Sequence, residues 1–494
     1  MVATPPVEAQ AMPLEGLYTH FIGGKRVRRD EEPDLIRRNP ARSDQVLGAM
    51  RSADQALVDE TVRVAARAWE QWRNTPAPVR GKVLLTAARL MEDHLEELAR
   101  LIALEEGKAV KDGRAEVRRA INITEFCAGE GRRLGGYTSA SEFAGRFACT
   151  VRQPLGVVVA ITPWNFPIAI PAWKVAPALV AGNSVILKPA SATPACAVRL
   201  AEIYQEAGLP DGVLNVLVAR GGGAGEALLD APEVQAVSLT GSTSTGRHVA
   251  ARLARRGVPF QGELGGKNAA IVLADADLDL AVAGIAEGAF GSTGQRCTAT
   301  SRAIVQESIA DAFLDKLIAR AQAYRVGDGT RDDTDVGPAV TPEQRSTVLE
   351  YLKIGAEEGA QQVYAAQLGD LPPGNWVAPT VFDRVSPEMR IAREEIFGPV
   401  LSVIRVPDVE AAFEAANAVE YGLSASLYTR DLRAAFRFVE RVDVGIANVN
   451  QPTLGGEVHL PFGGVKASGF GPHEQGREAV EFFTKVKTVY INHG

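Results

Sequence analysis

From residue 155 onward the chain alternates short apolar runs with helical patterns, and no other feature restricts the possible folds as strongly. The runs 156–161, 184–187, 213–218, 236–240 and 269–273 are short for helices and too continuously apolar for strands with one wet face. Separated by helical stretches such as 194–206 and 245–255, they call for a parallel sheet covered on both sides. A second series, 302–306, 400–406, 424–428 and 445–448, repeats the theme. Two α/β units are therefore expected in a chain of 494 residues, which is too long for one ordinary core.

The remaining segments read as attachments to those units. Residues 18–27, with Gly23-Gly24 in the middle, suit a hairpin, and Asn39-Pro40 marks a turn before another extended run. Residues 54–73 and 80–106 carry apolar positions at three- and four-residue spacing, as amphipathic surface helices do. The tail alternates from 482 to 491 and suits an edge strand that needs a partner.

A formal charge of −7 argues against a nucleic-acid or anionic-membrane partner, which would want a basic surface. The four cysteines, Cys127, Cys149, Cys196 and Cys297, form no CxxC pair and have no histidine cluster nearby, so neither a disulfide framework nor a metal site is expected. Residues 1–15 lack the basic start and apolar core of a secretory leader, and the apolar stretch 154–173 is broken by Pro163, Pro167 and Pro171. These readings point to a cytoplasmic protein with no membrane span.

Several segments hold side chains suited to chemistry. Cys297 lies among small residues in Ser292-Thr293-Gly294-Gln295-Arg296-Cys297-Thr298-Ala299, and a neighbouring positive charge or helix N-terminus would activate its thiolate. Glu263 precedes the Gly-rich turn Leu264-Gly265-Gly266-Lys267-Asn268, where a carboxylate can move a proton. Asn165 sits in the proline-stiffened loop Thr162-Pro163-Trp164-Asn165-Phe166-Pro167, so its amide and the Cys297 N–H can together bind an oxyanion. Gly241-Ser242-Thr243-Ser244-Thr245-Gly246 joins a strand to a helix whose N-terminus suits an anion, although the spacing is not GxGxxG. Lys188 ends another strand, where it can meet a ribose hydroxyl. Each has a plainer reading alone: a buried cysteine, a surface glutamate, a self-satisfied turn, a helix cap, a solvated lysine.

Together, and in this order, these segments resemble the aldehyde dehydrogenase superfamily over essentially the whole chain. Further matching motifs are Lys188-Pro189-Ala190, Glu394-Glu395-Ile396-Phe397-Gly398-Pro399 and Pro461-Phe462-Gly463-Gly464. The resemblance implies a Rossmann-like cofactor domain (1–131 and 153–262), an α/β catalytic domain (263–477) and a small oligomerisation element (132–152 and 478–494). It implies Cys297 as nucleophile, Glu263 as base for thioester hydrolysis, and Asn165 with the Cys297 backbone as oxyanion hole. Lys188 would hold the adenosine ribose, Glu395 the nicotinamide ribose and Ser242 a phosphate. Phe397 would pack near the nicotinamide, Gly221 and Gly225 near the adenine, and Trp164, Gly241 and Leu264 would complete the cofactor side.

Phe166, Trp173 and Phe462 match the family's apolar aldehyde funnel, and Arg118, Arg119 and Arg296 are bases that can meet a distal carboxylate. The segments 298–302, 471–476 and 482–484 resemble the branch that oxidises 2-oxoglutarate semialdehyde (2,5-dioxopentanoate), with succinate semialdehyde or plain aliphatic aldehydes as alternatives. A homodimer or homotetramer is implied as well. Glu263 favours a free-acid product over acyl transfer to coenzyme A, and its presence with Cys297 argues against a non-catalytic relative that merely keeps the fold.

Cofactor choice, NADP or NAD, turns on Ser191, where NAD-preferring members of the family often carry a glutamate. A carboxylate there repels a 2′-phosphate, whereas a serine hydroxyl can donate to it. NADP is therefore expected to be used, and an advantage for NAD of about tenfold or more in kcat/KM, measured by titrating both cofactors, would overturn this.

Overall fold

The apolar runs form two separate sheets, and the direction of each strand decides what lies at its ends. A computed structural model describes residues 14–220 and 222–494, apart from the Glu15 side chain. The reading of the first thirteen residues and the role expected for Gly221 fall outside the described residues.

The first sheet has eight strands, in the order Lys25–Val27, His20–Ile22, Leu214–Val216, Ser184–Lys188, Val157–Ile161, Val234–Thr240, Phe260–Glu263 and Gly469–Phe470. Its five central strands are parallel, and antiparallel additions close both sides. By chain order those five run 3-2-1-4-5, the order of a dinucleotide-binding sheet. The order reverses between Val157–Ile161 and Val234–Thr240, so ligands belong beyond the carboxyl ends of those two strands. The helix Ala169–Ala181, buried at every position, packs against this sheet and ends at Gly182, whose φ of 100° favours glycine.

The second sheet has seven strands, ordered Gln361–Ala365, Thr380–Asp383, Val400–Val406, Thr300–Gln306, Asn268–Val272, Ser424–Tyr428 and Ile446–Val449. Only the first of these is antiparallel to its neighbour. A smaller antiparallel sheet joins Thr484–Asn492 to Arg146–Pro154 and Thr138–Ser139, so the tail is an edge strand with one side paired. Among the described residues no helix is long and apolar enough to cross a membrane. The stretch 154–173 instead supplies a strand, a loop and a helix start.

Two expectations need correction. The run 269–273 was grouped with the first series, but Asn268–Val272 is a central strand of the second sheet. The first sheet's fifth parallel strand is Phe260–Glu263. Its sequence, Phe-Gln-Gly-Glu, hides it, because the buried Gln261 and Glu263 break the apolar pattern. The helical pattern 80–106 is two helices, Ala77–Asp93 and Leu95–Glu105, broken at His94, whose φ/ψ of −100°/17° leaves the helix and whose Nδ1 lies 2.6 Å from Glu97. Both helices pack into the core on one face, so apolar periodicity runs through the break.

Candidate active site

The site forms where the carboxyl edge of the first sheet meets the amino edge of the second. Glu263 ends a strand of the first sheet, Asn268 begins a strand of the second, and Cys297 lies in the turn before the strand Thr300–Gln306. Two clefts converge there. One, of about 270 Å³, is lined by Trp164, Asn165, Gly241, Ser242, Leu264, Glu395 and Phe397. The other, of about 180 Å³, is lined by Phe166, Trp173 and Phe462 with Arg119, Arg296, Asp112 and Glu116. Cys297 lines both.

The turn that carries Cys297 is held in an unusual shape. Ser292, Thr293 and Gly294 have φ values of 48°, 60° and 65° in succession. Asp112 accepts from the Ser292 N–H at 3.0 Å and from its hydroxyl at 3.1 Å, and the Thr293 hydroxyl donates to the Gly337 carbonyl at 3.0 Å. Beyond the sulfur, the Asn268 amide donates to the Cys297 carbonyl at 2.8 Å and to the Ala299 carbonyl at 2.9 Å. The thiol is half-buried, and its pKa is driven upward, first by burial and then by the Glu263 and Glu395 carboxylates. Arg296, the neighbouring cation in sequence, turns to Asp112 and Glu287, and the turn leads into a strand; the cation whose charge reaches the thiol is Arg119, across the smaller cleft.

Glu263 is fully enclosed, so the plainer reading as a surface side chain fails. Burial, then the nearby Glu474, raise its pKa well above the usual carboxylate range, and Oε1 has no hydrogen-bond partner among the described residues. Behind it lies a buried polar group that sequence reasoning missed. Lys174 pairs with Glu474 and donates to the Ser238 hydroxyl at 2.9 Å, which donates to Gln261 at 2.9 Å. Gln261 in turn donates to the His473 carbonyl at 2.9 Å. The signal was a lone lysine in the apolar helix Ala169–Ala181, since a buried ammonium requires a partner.

Asn165 donates from Nδ2 to the Gln295 carbonyl at 3.0 Å, which leaves its second N–H free. Among the described residues no group accepts the Cys297 N–H. The loop is gripped from below by Lys108, whose ammonium donates to the Asn165 carbonyl, lies 4.0 Å from the Phe166 ring centroid and pairs with Glu116 at 2.9 Å. The other Glu116 oxygen accepts the Ile168 and Ala169 N–H groups at 2.8 and 3.2 Å.

The larger cleft suits a dinucleotide. It lies at the reversal point of the first sheet, and Ser242 caps the helix Thr243–Ala254 by accepting from the Thr245 N–H at 3.2 Å. The Thr240 hydroxyl on its wall is buried without a partner among the described residues. Glu395 accepts the Gly266 N–H at 2.8 Å, burial pushes its pKa up to about 7, and a Cβ on Gly265 would come within 2.5 Å of it. Phe397 meets Trp164 edge-on with ring centroids 5.3 Å apart. Lys188 lies one strand further along, outside this cleft; burial lowers its pKa and it has no ion-pair partner among the described residues. A Cβ on Gly225 would lie 3.7 Å from Lys188 Cε, so those two residues sit together, with Ser191 in the turn that follows.

Of the three arginines singled out, Arg119 and Arg296 line the smaller cleft and Arg118 does not. Arg118 is exposed and bonded to Glu92, because neighbouring residues of one helix point about 100° apart and only one can face the cleft. The helix that carries them, Val110–Glu130, went unread, although Val117, Ala120, Ile121, Thr124 and Cys127 keep helical spacing.

The model of the Aldehyde dehydrogenase family matches residues 27–489 of this chain. A 2,5-dioxopentanoate dehydrogenase of Saccharolobus solfataricus is 43% identical over 96% of this chain and 98% of its own. An alpha-ketoglutaric semialdehyde dehydrogenase of Bacillus subtilis is 39% identical over 97% and 98%. Among solved structures, an NAD-dependent aldehyde dehydrogenase from Sinorhizobium meliloti superposes with a TM-score of 0.93 at 36% identity, covering 97% of this chain and 95% of that one.

Proposed function

Because the chain belongs to the aldehyde dehydrogenase family and is an NAD(P)-dependent oxidoreductase, we propose that it oxidises a carboxylated semialdehyde, 2-oxoglutarate semialdehyde first, through a thioester on Cys297. One observation carries the assignment of roles: Cys297 is the wall common to a cleft at the nucleotide-binding edge of a parallel sheet and a smaller aromatic cleft. The smaller cleft, walled by Phe166, Trp173 and Phe462, suits a small aldehyde. The semialdehyde reading is supported by the two semialdehyde-oxidising relatives.

In this reading the Cys297 thiolate attacks the aldehyde carbon. The Cys297 N–H and the free Nδ2–H of Asn165 receive the oxygen as it becomes negative, and each such donor lowers the barrier by about 3 kcal/mol. Trp164, Lys188, Ser191, Gly225, Gly241, Ser242, Leu264, Glu395 and Phe397 would hold the cofactor. When bound, its oxidised nicotinamide would supply the hydride acceptor for the oxidation. Glu263 then takes a proton from water, which attacks the thioester, releases the acid and frees the sulfur. A raised pKa suits Glu263 to that task, and the Lys174–Glu474 pair behind it fixes its electrostatic setting.

The proposed division into a cofactor domain, a catalytic domain and an oligomerisation element is supported by the first, second and three-stranded sheets, with the strand Gly469–Phe470 of the first sheet coming from the stretch assigned to the catalytic domain. The half-open edge of the three-stranded sheet at Thr484–Asn492, with Val486, Tyr490 and Ile491 exposed, supports a homodimer or homotetramer. A solution mass of one chain, measured by light scattering, would refute that.

Cys297→Ala is expected to lower turnover by about 10⁴-fold or more. Glu263→Gln is expected to slow steady-state turnover by about 10²-fold while leaving a rapid burst of reduced cofactor, because only hydrolysis needs the base. The base form of Glu263 appears as pH rises toward its elevated pKa, so wild-type thioester hydrolysis should climb about tenfold per pH unit below it, and flatten in Glu263→Gln. Undiminished turnover in either variant would refute its role. For the substrate, kcat/KM with 2-oxoglutarate semialdehyde should exceed that of a plain alkanal of similar length by about tenfold or more, and equality would sink the semialdehyde reading.

A further inference from the structure

The smaller cleft contains two acids and two bases, and their pairing is unequal. Glu116 is spent on buried Lys108. Asp112 faces Arg296, which also approaches Glu287 and donates to the Ser292 hydroxyl at 2.8 Å. Arg119 remains. Its guanidinium donates to the Gly456 carbonyl at 2.6 Å and to the Gln475 side-chain oxygen at 2.9 Å, and it lies 5.7 Å from the Trp173 ring centroid, so every partner is neutral. It is half-buried, burial lowers its pKa while Cys297 opposes that shift, and no carboxylate is paired with it among the described residues.

We propose that Arg119 is the specificity-determining residue of the aldehyde cleft, binding the distal carboxylate of the substrate. The inference rests on reading that cleft as the aldehyde site. A guanidinium has five N–H donors in a rigid fork, and two are used here to fix its orientation. Three are left, enough for a two-pronged grip on a carboxylate. A partly desolvated cation without a counter-ion is costly, and a substrate carboxylate relieves that cost on binding. The same charge repels an aldehyde that carries a quaternary ammonium.

The test compares kcat/KM for 2-oxoglutarate semialdehyde with that for hexanal on the same enzyme sample, so a poorly folded fraction cancels from the ratio. In Arg119→Met, which keeps much of the stem on Trp173 and loses the charge, the ratio should fall about 30-fold or more, chiefly through KM for the semialdehyde. Arg119→Lys should fall between the two, since it keeps the charge and loses the fork. Arg118→Met, with its partner Glu92 outside the cleft, should leave the ratio within about twofold of wild type. A wild-type preference that persists in Arg119→Met overturns the role of Arg119 and leaves the semialdehyde reading standing. A wild-type ratio near one overturns both.

Discussion

Four residues, Leu264 to Lys267, separate the last parallel strand of the first sheet from a central strand of the second. So short a link fixes the carboxyl end of one strand against the amino end of the other, and the site occupies that junction. The link works because its glycines allow close approach. A side chain on Gly265 would collide with Glu395, and one on Gly266 would meet the Cys297 carbonyl. Asn268, the first residue after the link, donates to the carbonyls of Cys297 and Ala299 and accepts the Ser424 N–H at 3.0 Å, so one side chain ties the thiol turn to two strands.

Packing two sheets edge to edge also buries the charges that the chemistry needs. Desolvation comes first among the causes acting on Cys297, Glu263, Glu395, Lys174, Lys188 and Lys267. Acids are pushed up and lysines down, Glu395 and Lys267 each to about 7. Neutral forms are cheaper in such surroundings. Lys174 and Glu474 stay paired because separating them would leave a lone buried charge, which costs about 3–5 kcal/mol.

Legibility in the sequence followed the periodicity of burial. Continuous apolar runs such as Val157–Ile161 and Ser184–Lys188 announced parallel strands because both faces are covered. Phe260–Glu263 is covered equally but carries Gln261 and Glu263, whose polar atoms belong to the site, so the pattern failed where function had altered it. Resemblance supplied Cys297, Glu263 and Asn165, whereas their surroundings were not readable. Lys108, Lys174, Glu116 and Glu474 act through partners 8 to 300 residues away, a separation that no local pattern encodes. Arg118 and Arg119 were equivalent as letters and became distinct only once their helix was placed against the cleft.

The two arginines left in the cleft are divided by backbone strain. Ser292 and Thr293 both lie in the left-handed region, at about 1–3 kcal/mol each for residues other than glycine. That conformation persists because the surroundings over-determine it. Asp112 receives both the N–H and the hydroxyl of Ser292, and Arg296 donates to the same hydroxyl while facing the same carboxylate. Arg296 is thus committed to keeping the turn that presents Cys297, and drawing it toward a ligand would loosen that turn. Arg119 stands on the helix Val110–Glu130 and not in the turn, is tied to the neutral acceptors of Gly456 and Gln475, and can accept a carboxylate without loosening the turn that carries Cys297. Holding the Cys297 turn and, as proposed, holding a remote carboxylate therefore fall to separate residues.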